Sequence, residues 1–289
     1  MLNTLKVGLL LTALTMLFVV VGRAIGGTSG AIIAFAMAML MNFGSYWFSD
    51  KIVLKMYNAQ PLSPHQAPAL YEMTQRMAER ARVPMPALYI IEDPQPNAFA
   101  TGRSPSHAAV AVNRGLLNIL SRDEVEGVIA HEIGHIKHRD TLTMTVVATV
   151  AGAVMMLAQI GQFAAIFGGF SRDDDEEGLN PLGLLFAIIV APIAATIIQM
   201  AVSRAREFEA DATAARLTGS PRGLINALSK LEMAAQHIPS RANPQTAHMF
   251  IVNPFAGKGA GLVSLFMTHP PMEKRIERLQ QLNLNDRVA

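Results

Sequence analysis

Residues 121–140 read Ser121-Arg-Asp-Glu-Val-Glu-Gly-Val-Ile-Ala-His131-Glu132-Ile-Gly-His135-Ile-Lys-His138-Arg-Asp140. Ser121 with Glu124 three residues on forms a capping box, so a helix is predicted from here to about Arg139. On a helix, positions i and i+4 differ by about 40° in azimuth and one turn in rise. His131 and His135 therefore leave one face, and their imidazoles can grip one metal ion. Glu132 is turned about 100° from His131. It can reach a water beside the ion without being a ligand.

This His-Glu-x-x-His spacing is the arrangement of zinc hydrolases. Such a centre needs a third protein ligand and keeps one position for water. His138 lies about 10 Å further along the axis than His131, too far to share the ion, and reads as a surface residue. Position 141 is threonine, not a further histidine, and the chain has no cysteine. The third ligand must come from another element. The best candidate is Glu207, in Ser203-Arg-Ala-Arg-Glu207-Phe-Glu-Ala-Asp211. Glu207 and Asp211 again sit at i and i+4. One carboxylate can bind the metal while the other orients a ligand histidine by accepting its second N–H. Asp211 is assigned that second role, toward His131. Glu209 is turned about 200° from Glu207 and points away.

Outward from these motifs the chain is unusually apolar. Of its 289 residues, 51% are hydrophobic and 16% charged, against roughly 25% charged in soluble domains. Disorder is excluded by that balance. The absence of cysteine excludes disulfides, thiolate metal sites and cysteine catalysis. A net charge of +2, with no Lys/Arg-rich run, argues against nucleic acid as a partner. The lipid bilayer is the partner that composition favours.

Four apolar blocks carry the hydrophobicity: Val7–Gly22, Ala31–Phe48, Thr141–Phe170 and Leu182–Ala201. Each approaches the ~20 residues that cross a hydrocarbon core. The first could be a cleaved signal peptide, but a second block follows closely, so an uncleaved hairpin is expected. The last two contain Thr and Gln and would also suit a helix hairpin packed on the protein. Basic residues gather at the membrane ends of the two longer polar segments: Lys51, Lys55, Lys137, Arg139, Arg204 and Arg206. By the positive-inside rule those segments are cytoplasmic. The acidic segment 171–180 then lies outside. The expected organisation is a transmembrane hairpin over 1–48, a first cytoplasmic segment with the metal motif over 49–140, a second hairpin over 141–202, and a second cytoplasmic segment with the third ligand over 203–289. The two cytoplasmic segments would combine into one α+β domain with a small sheet, on a mainly α membrane protein of four transmembrane helices.

Within the polar segments, helices are predicted over about 64–82, 201–216 and 220–236, and from Pro271 to about Leu282. Ala87–Ile91 reads as a strand. Asn97–Thr101 and Ala108–Val112 read as two arms of a strand pair joined by a long turn.

Four segments in order carry a resemblance: Asn97–Gly102 (NAFATG), the HEIGH helix with Asp140, SRAREFEAD, and Thr268–Ile276 (THPPMEKRI). With two spans before the metal helix and two after, the chain resembles the HtpX family of membrane-bound zinc endopeptidases. These are gluzincin-like relatives of the CAAX prenyl protease. The resemblance implies one Zn2+ per subunit at His131, His135 and Glu207, with Glu132 as general base. It implies a multi-pass protein of the bacterial inner membrane, its active site facing the cytoplasm. It also implies a role in stress response and quality control, cutting misfolded or damaged membrane proteins or unfolded polypeptides alongside other quality-control proteases. His269 is the expected oxyanion donor, because family members carry His-Pro at the matching place. Asn97, Ala98, Phe99, Ala100 and Thr101 are expected to form an edge strand that pairs with extended substrate backbone. A scaffold or transporter with an incidental metal site is the rival reading. It is disfavoured because the spans hold no ionisable residue of the kind transporters use.

Overall fold

The computed structural model describes residues 2–144, 146, 204–238, 249–252 and 270–283. Beyond the helical residues 141–144 and 146, the expected third and fourth spans lie outside the described residues. So do the acidic segment 171–180 and His269. The chain divides into two compact units, Met1–Phe48 with Val146–Ala201, and Ser49–Thr145 with Val202–Ala289.

In the first unit, helix α1 (Leu2–Met56) begins with both N-terminal apolar blocks and is broken at Gly26 and Gly27, whose dihedrals are not helical. Gly27 has φ of 57°, a conformation glycine adopts without penalty. The two apolar arms fold back on each other there. A Cβ on Gly22 would collide with the Gly30 carbonyl, so the arms touch backbone to backbone, the small-residue contact that favours helix pairing in lipid. Asn42 Nδ2 ties the arms further, donating to Leu11 O at 3.2 Å and Thr15 Oγ1 at 2.8 Å. Among the described residues one segment, Gly26–Phe48, is long and apolar enough to cross a membrane; Val7–Arg23 is apolar but shorter. Leu9, Met16, Ile32, Leu40 and Phe43 are exposed along these arms.

The second unit holds a four-stranded mixed sheet and several helices. The strands are β1 (Gln60–Pro61), β2 (Ala87–Ile91), β3 (Ala98–Ser104) and β4 (His107–Asn113), in the order β1-β2-β4-β3. β2 runs parallel to β4, while β3 pairs antiparallel with β4. β3 is therefore an edge strand. The loop between β3 and β4 is shorter than the sequence suggested, because pairing continues out to Ser104 and His107. The helices are α2 (Pro68–Ala81), α3 (Arg114–Ile119), α4 (Arg122–Lys137), α5 (Arg204–Thr218), α6 (Arg222–His237) and α7 (Met272–Gln280). α2 starts at Pro68, four residues later than expected, with proline in its first turn, where a missing N–H costs nothing.

Helix α4 is the centre of this unit. Ser121 caps it in a complete capping box with Glu124, and Lys230 of α6 pairs with Glu124 at 2.8 Å. It is buried almost throughout, with Val128, Ile129, Ile133 and Ile136 in one core with Leu116, Leu224 and Leu228. Two glycines set its neighbours' distance. A Cβ on Gly127 would meet the backbone of Leu224 in α6 at 2.6 Å. A Cβ on Gly134 would meet Ala210 of α5 at 3.2 Å. Gly134 stands between the two motif histidines, so α5 approaches α4 at the level of the metal motif.

Candidate active site

α4 presents His131 and His135 on one face, and the close approach at Gly134 brings Glu207 of α5 opposite them. His131 Nε2 and His135 Nε2 are 3.2 Å apart. Glu207 Oε1 lies 3.5 Å from His135 Nε2, and Oε2 lies 3.8 Å from His131 Nε2. These three side chains are buried, and their ligand atoms fall within 4.8 Å of one another. A cavity of about 20 Å³ opens on them, lined also by Phe99, Ala100, Glu132, Met144 and Phe250. That is room for about one water-sized guest.

Each imidazole is backed from behind. Asp211 Oδ1 lies 2.9 Å from His131 Nδ1, and Asp140 Oδ2 lies 3.3 Å from His135 Nδ1. Each aspartate is in turn met by an arginine. Arg275 of α7 grips Asp211 with two bonds, Nε to Oδ2 at 2.8 Å and Nη2 to Oδ1 at 2.6 Å. Arg206 Nη1 of α5 donates to Asp140 Oδ1 at 3.4 Å. Two Arg–Asp–His relays thus converge on one cluster. Arg275 is fully buried and also reaches Glu207 Oε2 at 3.5 Å and the Ile251 carbonyl at 3.0 Å.

The donor set fits a metal cation. With each Nδ1 turned toward a carboxylate, the two Nε2 atoms face each other and the Glu207 oxygens. Donor atoms so close call for a positive charge among them. The surrounding acids act in the same sense. Burial would lower His135, but Asp140, Glu207 and Glu132 outweigh it and carry the imidazole up to about 9. Burial lowers His131 despite Asp211. Burial would raise Asp211, and the Arg275 guanidinium overrides it and holds the carboxyl below the usual range.

Glu132 stands at the rim of the same cavity without contributing to the three-atom cluster. The backbone N–H of Ala100 donates to its Oε2 at 2.6 Å. Burial, reinforced by the Glu207 charge, pushes Glu132 up to about 7.

A model of peptidase family M48 matches residues 64–283. The chain belongs to peptidase family M48. Among M48 relatives, the "Protease HtpX homolog" of Desulfatibacillum aliphaticivorans is 54% identical over 277 residues, covering 96% of this chain and 89% of that one. The protein of the same name from Pyrococcus furiosus is 54% identical over 278 residues, covering 96% and 95%. That of Syntrophotalea carbinolica is 52% identical, covering 98% and 99%. The fold is similar to the crystal structure of S. mikatae Ste24p, at TM-score 0.51 and 20% identity, over 86% of this chain and 57% of that one. The chain is thus a membrane-associated M48 metallopeptidase with a mostly helical fold and a small mixed sheet.

The structure distributes the expected M48 site residues unevenly. His131, Glu132, His135, Glu207 and Asp211 come together. Within the expected substrate strand, Phe99 and Ala100 line the metal cavity, whereas Ala98 lies in the hydrophobic core and Thr101 is buried. Asn97 is 2% exposed, and its side chain holds the 249–252 segment by accepting from Ile251 N at 3.1 Å. Its side chain serves as an anchor. His138 departs from its surface reading: it is partly buried, 3.2 Å from Glu209 and 3.0 Å from Thr213. Glu209 points away from the centre as its azimuth requires, and this pairing is where it goes. Spacing within one element gives no sign that Arg275 and Arg206 support the site, although Arg275 lies inside the Thr268–Ile276 segment.

Proposed function

We propose that the protein is a zinc-dependent endopeptidase that cuts membrane proteins. The observation that carries this reading is the convergence of His131, His135 and Glu207, with Glu132 beside them but outside the ligand set. Two imidazoles and one carboxylate are the donor set of catalytic zinc sites with an open position. Zinc held there would supply Lewis acidity and a water of lowered pKa. Glu132 then takes up the proton at its carboxylate and delivers it to the leaving amine. Ala100 N–H fixes the orientation of that carboxylate. Asp211 and Asp140 hold the imidazoles in one tautomer each, and Arg275 and Arg206 hold the aspartates. β3, an edge strand beside the cavity, offers backbone groups to an extended substrate. That mode is indifferent to side chains and suits unfolded polypeptide. His269 remains our candidate for the oxyanion donor.

The apolar hairpin anchors this chemistry to a bilayer. The Lys/Arg distribution supports four spans with both polar segments in the cytoplasm, and a bacterial inner membrane is the location we assign to them. Misfolded or damaged membrane proteins are the substrates such a location supplies. Other membrane quality-control proteases are the fitting partners. The test is metal analysis and a protease assay of the purified protein beside Glu132→Gln. Zinc near one equivalent in both, with cleavage only in the wild type, is the expected result. Cleavage that persists without metal would refute it.

A further inference from the structure

Next to the metal cavity lies a second, larger one of about 560 Å³. It has no part in the chemistry above. The two cavities share the rings of Phe99 and Phe250. Tyr57 packs on both rings, with centroids 5.4 Å from Phe99 and 6.3 Å from Phe250. A peptide lying along β3 with its scissile bond at the metal would therefore pass a side chain over this aromatic wall. The volume is ample for one large side chain.

The chemistry of the lining is one-sided. Two carboxylates, Glu92 and Asp93, stand at the cavity, and no lysine or arginine lines it among the described residues. Glu92 is engaged by Arg114 at 2.6 Å on the exposed side. Asp93 pairs with no cation among the described residues; its Oδ1 accepts from Gln95 N at 2.7 Å. The second observation is Asn113, at the end of β4. It is 5% exposed and lines this cavity. Its Nδ2 donates to the Gln95 carbonyl at 2.9 Å, which fixes the amide's orientation. Its Oδ1 is buried with no partner among the described residues. A buried acceptor without a donor costs free energy, and a ligand donor in the cavity would repay it.

We infer that this cavity is a substrate subsite that selects a lysine or arginine side chain flanking the scissile bond. The inference rests on the endopeptidase reading above. The aromatic wall covers the aliphatic stem, the rings favour a cation, Asp93 supplies the opposite charge, and Asn113 Oδ1 accepts an N–H. A neutral donor would satisfy Asn113 but not Asp93. An acidic side chain would be repelled.

The test is cleavage-site profiling of the full-length, zinc-loaded protein in detergent on a mixed peptide library, read by mass spectrometry. Lysine and arginine should be enriched at one fixed position within about three residues of the cut, the span one extended strand can offer. Asp93→Asn keeps the Oδ1 acceptor for Gln95. It should lower kcat/KM for peptides with the basic residue by about tenfold or more, the worth of a charged hydrogen bond. It should leave matched peptides carrying methionine there unchanged, which also reports that the variant is folded. Asp93→Lys should shift the preference toward acidic residues. Cleavage with no basic enrichment, or enrichment that Asp93→Asn leaves intact, overturns the subsite while the endopeptidase stands. No cleavage of any peptide by the zinc-loaded protein overturns both.

Discussion

The carboxylate of Glu132 is held by the backbone N–H of Ala100 at 2.6 Å, so the acid beside the three-residue metal cluster is oriented by the edge strand β3. Ala100 faces Val110 in the β3–β4 register, yet its N–H points the other way, to the outer edge. Glu132 and the edge strand are therefore one mechanical unit. Glu132→Gln retains an oxygen to accept that bond and loses only the proton-accepting charge. Cleavage should fall by about 10²–10⁴-fold, the usual weight of general-base catalysis. Metal content should stay at the wild-type level, measured by atomic emission on the purified protein. A variant retaining a tenth of wild-type activity would remove Glu132 from the chemistry.

Asp211 and Asp140 do the same work for different histidines. Asp211→Asn and Asp140→Asn should each weaken zinc affinity by roughly 10–100-fold, the range for residues that orient a ligand imidazole. Competitive-chelator titration reads this directly. Added zinc should restore part of the activity in both, which it cannot do for Glu132→Gln. An unshifted dissociation constant in either would show that its carboxylate is only a structural contact.

Arg275 should behave differently, because it is fully buried between two acids. Arg275→Met leaves Asp211 and Glu207 without their cation, and breaking such a buried pair costs about 3–5 kcal/mol. Thermal unfolding should show a large loss of stability together with lost zinc. Glu209→Ala, on the partly exposed side of the same α5 helix, should change neither. Equal melting of the two variants would contradict the relay.

Acid should loosen α4 at its start. Burial would raise Glu124, but Lys230 and the Ser121 N–H outweigh it and hold the carboxyl below its ordinary value. A depressed carboxyl stabilises the fold fully above the unfolded pKa, and the benefit is lost as pH falls through the folded one. Lys230→Met should reduce that acid-labile portion of stability. Ser121→Ala should cost about 1 kcal/mol, the usual worth of an N-cap. Denaturant melts between pH 7 and pH 3 would test both.

Because the chain has no cysteine, single engineered ones can report topology. Asp175→Cys should react with an impermeant thiol reagent on intact cells, and Gln60→Cys and Ser240→Cys should not. Labelling at position 60 but not 175 would reverse the orientation.

The sequence made the local features legible and left the long-range ones hidden. The capping box, the strand Ala87–Ile91 and the same-face pairs on α4 and α5 depend on spacing within one element. They read directly from periodicity. That α5 faces α4 depends on Gly134 and Ala210, two small residues whose importance appears only when the helices touch. The sheet order was not readable, because parallel pairing of β2 with β4 skips the intervening strand. β1 is two residues long, too short for any pattern. Arg275 looked like an ordinary charge on a polar terminal helix, and the bond it makes to Asp211 spans 64 positions. The pairing of His138 with Glu209 escaped for the same reason.

Arg275 belongs to α7, which a ribosome makes after α4 and α5. Until α7 emerges and docks, Asp211 and Glu207 lack the guanidinium that stands between them. A half-synthesised copy therefore carries the whole metal motif but not the support that shapes it.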